Sequence, residues 1–158
     1  MQPTPTSYTP AQNAATLIGR VLIALLFVPS GFGKLTGFSG TVGYISSAGV
    51  PLPEVGAGIA VLVELVFGLL LLVGWQTRWV ALGMAIFTFV ISFVFHQFWS
   101  ADAAHHMSQF LNFYKNMAIS GGLLAFAAFG AGGWSLDALR GAAASGNRNQ
   151  YFNQHRTQ

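Results

Sequence analysis

Hydrophobic residues in this chain fall in four long runs, at 14–34, 54–74, 77–98 and 113–132, separated by short polar or glycine-rich connections. Each run approaches the roughly 20 helical residues needed to cross a hydrocarbon core. None shows the two-residue alternation of a membrane barrel, and only helices and closed barrels satisfy their backbone inside lipid. The pattern predicts an all-α fold, an integral membrane four-helix bundle. Between the first two runs lies GFSGTVGYISSAGVPLPE, where Phe38, Val42 and Ile45 recur at helical spacing. With Ser39 as a cap and Gly49 and Pro51 ending the run, this stretch predicts a short amphipathic helix in the outer interface. Ser100 predicts a cap that starts the fourth helix near Ala101, well outside the membrane. The polar flanks, 1–13 and 141–158, lack an apolar face and predict disordered cytoplasmic tails around a domain at 14–140.

Polar and small residues within the runs form stripes. The second run carries Gly56, Ala60, Glu64 and Gly68 at intervals of four, which allows close helix approach. The third carries Ala81, Ala85, Thr88, Ser92 and His96, and the fourth Lys115, Asn116 and Ser120. These stripes can all face inward while Leu, Val and Ile face lipid. The halves of the chain also resemble each other weakly: the first and third runs open with arginine, and the second and fourth carry GLL before a glycine and a tryptophan. Chance similarity between apolar helices explains this as well as a tandem repeat does.

Composition supports the membrane reading. Only 7% of residues are charged and 53% are hydrophobic, where a soluble domain carries about a quarter charged. The net charge of +3 is scattered near helix ends rather than gathered in a stripe, which argues against nucleic acid. Arg20, Arg78, Arg140, Arg148 and Arg156 fall on one side of the four-span arrangement and Lys34 and Lys115 on the other. By the positive-inside rule both termini are then cytoplasmic. There is no cysteine, hence no disulfide, no iron–sulfur ligand and no dithiol redox pair.

Two groups of residues carry candidate chemistry. Glu64 sits near mid-bilayer, where a charge costs about 2.5–3.5 kcal/mol on insertion scales. An intramembrane ion pair between Arg20 and Glu64, joining the first two spans, is the expected solution. A Glu64 kept protonated by burial and able to pass protons is the alternative. Near the outer face, Lys34, His96, Trp99, Tyr114, Lys115 and Asn116 could hold a quinone carbonyl or an anionic headgroup. The plain reading is that they are interfacial anchors, a common role for Lys, Trp and Tyr. His105, His106 and Asp102 predict no metal site, because adjacent histidines on a helix diverge by about 100°. A haem is equally unsupported, since His96 has no second intramembrane histidine to pair with.

With these residues laid out, the chain resembles the DoxX family of small bacterial membrane proteins over about 17–139. The resemblance rests on GRVLIALLFVPSGFGKLTGF, GTVGYISSAGVPLP, VELVFGLLLLVGW, TRWVALGMAIFTFVISFVFHQFW and FYKNMAISGGLLAFAAFGAGGWSLDAL. Its carriers here are Gly19, Arg20, Ser30, Gly31, Lys34, Gly49, Pro51, Glu64, Arg78, His96, Lys115, Asn116 and Asp137. It implies a four-helix bacterial inner-membrane protein, and the family name comes from a subunit associated with a thiosulfate:quinone oxidoreductase. The expected role is therefore a membrane subunit of a quinone-linked redox or detoxification system. It would work in the lipid bilayer as a homo-oligomer or with a partner redox protein that supplies electrons, with quinone as a possible cofactor and none bound covalently. A non-enzymatic anchor or assembly subunit is the alternative, and a small-solute transporter a more distant one.

Overall fold

The computed structural model describes residues 8–144, and these are helical throughout apart from connections. Helix α1, Pro10–Thr36, starts at a capping box: Thr9 accepts from the Gln12 amide while the Gln12 side chain accepts from the Thr9 amide, with Pro10 in the first turn. The box sets the start four residues earlier than the apolar run alone implies, so the expected N-terminal tail loses residues 10–13 to the helix. The rest of that tail, 1–7, lies outside the described residues. Gly37 then links α1 to α2, Phe38–Ser47. No side chain caps α2, so the expected Ser39 cap does not form.

Helix α3 runs Pro53–Val73. Its middle, Leu62–Phe67, is a π-helical segment that contains Glu64. Gly74 ends the helix in the left-handed region (φ 71°), as glycine does at low cost. A Cβ there would also meet Ser135 and Arg20, at 2.5 and 2.6 Å. Helix α4, Thr77–Phe95, ends with His96 as its C-cap, three residues short of the expected end at 98. A single 3₁₀ turn, Phe98–Ser100, follows, and α5 spans His106–Phe129. The expected start of that helix at Ser100–Ala101 is therefore displaced. Asp102 takes the His105 amide instead, and 101–105 forms a separate turn. Helix is resumed from 136 to 144, the last described residue, so 141–144 are ordered helix rather than tail. The remainder of the expected tail, 145–158, lies outside the described residues.

Among the described residues, three helical segments are long and apolar enough to cross a membrane: Pro10–Thr36, Pro53–Val73 and Thr77–Ser100, the last including the 3₁₀ turn. The core between them gathers Phe27, Val63, Leu71, Val80, Met84 and Leu123. Leu22, Leu25, Ile59, Ile86 and Leu124 stay exposed around the outside, the inverse of a soluble pattern and suited to lipid. Helices α1 and α3 cross closely at Gly31. A Cβ at that position would overlap the Leu65 amide and lie 2.8 Å from the Glu64 carbonyl carbon. That crossing fixes the level of Glu64.

Candidate functional site

At the Gly31 crossing the Glu64 side chain is 7% exposed and pairs with Lys34, Oε2 to Nζ at 2.6 Å. Lys34 also donates to the Ser30 hydroxyl at 2.8 Å, holding the ammonium one turn above Gly31. The expected Arg20–Glu64 pair does not form. Gly31 sets Glu64 against the C-terminal third of α1, whereas Arg20 lies eleven residues earlier, roughly 16 Å along the axis at 1.5 Å per residue. Arg20, 1% exposed, donates instead to the backbone carbonyls of Leu72 and Trp134. It ties α1 to the end of α3 and to the segment after α5. Asp137, in the same region, accepts from the amides of Gln76 (2.8 Å) and Thr77 (2.9 Å), capping α4.

Above the Lys34–Glu64 pair is a cleft of about 190 Å³. Its polar lining is Ser30, Lys34, Glu64, Thr88, His96, Lys115 and Asn116, and its apolar wall is Leu26, Phe27 and Ile91. All four long helices contribute. His96, released from α4 by the helix end, has Nδ1 2.9 Å from Gln109 Oε1, which orients the ring. Lys115 is exposed and donates to Asn112 on its own helix at 2.8 Å. Asn116 is buried, and Thr88 is 2% exposed with a hydroxyl that has no hydrogen-bond partner among the described residues. Four of the six outer-face residues read from the sequence thus share one cleft: Lys34, His96, Lys115 and Asn116.

The other two do not. Trp99 and Tyr114 are about half exposed and belong to an aromatic group with Phe98, Phe110 and Phe113. The nearest ring spacing there, Phe110 to Tyr114, is 4.6 Å. The sequence pattern marks Thr88 only as part of a small-residue stripe. Its assignment to the site needs the packing of α3 and α5 on either side of α4, which no local pattern carries. In the loop outside the spans, Asp102 accepts from the His105 ring at 2.8 Å, and this bond holds the carboxyl below its ordinary range.

The DoxX family model matches residues 15–97, more than half of the chain. The chain belongs to the DoxX family. Two further likenesses extend past the matched segment. An inner membrane protein of Escherichia coli K12, YphA, is 35% identical over 127 residues, covering 80% of this chain and 91% of its own. Another from the same organism, the inner membrane protein YqjF, is 38% identical over 131 residues, covering 81% and 93%. No solved structure matches. Of the cleft, the segment matched by the DoxX model contains Ser30, Lys34, Glu64, Thr88 and His96, while Lys115 and Asn116 lie beyond it.

What a DoxX cleft of this kind can do chemically follows from its lining. Its volume falls below the 300–1,000 Å³ typical of drug-sized ligands, so it suits one ring or one headgroup. One edge offers N–H and O–H donors, and the opposite wall is apolar. The ammonium of Lys34 is already committed to a carboxylate, leaving Lys115, Asn116, Thr88 and His96 as the groups able to take a new partner.

Proposed function

We propose that this DoxX-family protein is a bacterial inner-membrane subunit that holds a quinone head in the Lys34–Glu64–His96 cleft for a quinone-linked redox or detoxification system. The supporting observation is the convergence of Thr88, His96, Lys115 and Asn116 beside Leu26, Phe27 and Ile91 in one cleft of the bundle. A quinone carbonyl takes donors, and its ring takes flat apolar walls. In this reading α5 is the fourth span, α2 lies in the outer interface, and both termini face the cytoplasm. With no cysteine in the chain to carry a dithiol or an iron–sulfur centre, electrons come from a partner redox protein.

The test is mass spectrometry of the organic extract of protein purified in mild detergent. Wild type is expected to carry quinone close to one per chain. His96→Ala is expected to lose most of it, and Trp99→Ala, outside the cleft, to keep it. Equal quinone in wild type and His96→Ala would remove the assignment of the site. A second reading, a non-enzymatic assembly or anchoring subunit, is favoured by the closure of the Lys34–Glu64 pair at 2.6 Å. Under that reading the pair joins two helices, and extracts contain phospholipid alone, equal in both proteins.

A further inference from the structure

The opposite end of the bundle has a separate cavity of about 340 Å³, where the start of α4 meets the segment after α5. Arg78 and Asp137 both line it, with Thr77, Tyr8 and Phe129. The Arg78 guanidinium is exposed and makes no hydrogen bond or ion pair among the described residues. Asp137 spends one lone pair of each oxygen on the amides of Gln76 and Thr77; the buried Arg20 acts on it electrostatically, but no cation lies within ion-pair distance among the described residues. Thr77 is fully buried, and its hydroxyl lacks a partner too. One wall therefore presents an unpaired cation, an anion with spare acceptor capacity and an orphaned hydroxyl.

A larger and more apolar cavity, about 640 Å³, adjoins the first and shares Tyr8, Arg78 and Phe129 with it. Gln12, Ala15, Thr16 and Ala128 complete its wall, between the first turns of α1 and the last turns of α5. Phe129 (73% exposed) and Trp79 (73%) stand beside it, and Trp75 and Trp134 are exposed at the same end of the bundle. Tryptophans at the ends of apolar helices mark the headgroup level of a bilayer. Arg78 therefore stands at that level, between a polar compartment that also holds the Asp137 carboxylate and an apolar one.

We propose that this end of the protein is a binding site for a phospholipid with a zwitterionic ethanolamine headgroup. The phosphate sits on Arg78, the ammonium donates to Asp137, and an acyl chain occupies the apolar cavity against Phe129. The pairing of charges selects the class. An anionic glycerol headgroup would satisfy Arg78 but bring nothing for Asp137. A choline headgroup has no N–H to donate to the carboxylate. The proposal is independent of the quinone cleft, which lies at the other end of the spans.

Native mass spectrometry of the detergent-purified full chain tests it, after addition of phosphatidylethanolamine, phosphatidylcholine or phosphatidylglycerol with identical acyl chains. The expected result is one phosphatidylethanolamine retained in preference to the other two. Arg78→Gln, at an exposed position, is expected to reduce that retention about tenfold, as suits the loss of one charge-assisted contact. Arg140→Gln, at a cation outside the cavity, is expected to leave it unchanged. Equal retention of the three lipids, or of phosphatidylethanolamine in wild type and Arg78→Gln, would overturn the proposal. Preference for phosphatidylglycerol would also overturn it, since it would show a site that reads the cation alone.

Discussion

Glu64 is the most consequential single residue, because its neighbours decide whether a carboxylate can remain in the span. Removing one member of a buried pair leaves the other charged and unsolvated, at about 3–5 kcal/mol when both are fully enclosed. Lys34 keeps 31% of its side chain exposed, so Lys34→Met is expected to cost less, about 2–3 kcal/mol. Lys34→Met combined with Glu64→Leu is expected to recover most of that loss, which thermal unfolding in detergent would check. At Arg20 the sequence was a poor guide to the partner. Opposite charges invite pairing on paper, but this guanidinium is satisfied by carbonyls of Leu72 and Trp134, which have no signature in side-chain identity. Arg20→Lys is expected to be nearly as harmful as Arg20→Ala, because an ammonium cannot span two carbonyls in fork geometry. In the turn at 101–105, the His105 bond holds the Asp102 carboxyl below its ordinary value of 3.8. The stability it contributes is present above that value and is lost as pH falls below it. His105→Ala should move the Asp102 titration back up, visible by NMR of the side-chain carboxyl.

At the scale of elements, helix existence was plain from the apolar runs and helix ends were not. The start of α1 depended on the Thr9–Gln12 box, a local hydrogen-bond exchange ahead of the hydrophobic pattern. The start of α5 depended on Asp102, whose side chain takes an amide that would otherwise continue the helix back toward Ser100. The π segment at Leu62–Phe67 was invisible in the sequence, since Glu64 marks a buried charge in VLVELVFG but nothing there marks a change of helical hydrogen bonding. Such segments interrupt regular helices at functional positions often enough to be noteworthy, and this one presents Glu64. It also lies against Gly31, so the two are one device. Gly31→Ala is expected to destabilise the protein by about 1–3 kcal/mol, the usual cost of overpacking, because backbone rather than a flexible side chain blocks the methyl. Gly33→Ala, with open space at its Cβ, serves as the control and should unfold at the wild-type temperature.

For the whole molecule, the sequence carried the helical membrane class and four of the residues that line the candidate cleft. The cleft residues Lys34, His96, Lys115 and Asn116 were legible as polar groups at one membrane level, while the separation of Tyr114 from them depends on the rotation of α5 and that of Trp99 on the 3₁₀ turn Phe98–Ser100. The absence of cysteine makes the topology easy to measure. Single cysteines at the exposed positions Ala11→Cys and Ala143→Cys are expected to be labelled by an impermeant maleimide only after the inner face is opened, and Ser108→Cys in intact spheroplasts. Labelling of Ala11→Cys and Ser108→Cys from the same side would remove the proposed orientation. The Arg20 contacts also constrain how the chain is made. Its guanidinium lies in the first span, yet one of its two carbonyl partners belongs to Trp134, after the last long helix. During synthesis the arginine gains its first carbonyl partner, Leu72, 52 residues later and its second, Trp134, only 114 residues later. A chain truncated before Trp134 should be held by the insertion machinery or degraded, so release from the translocon is coupled to completion of the final loop.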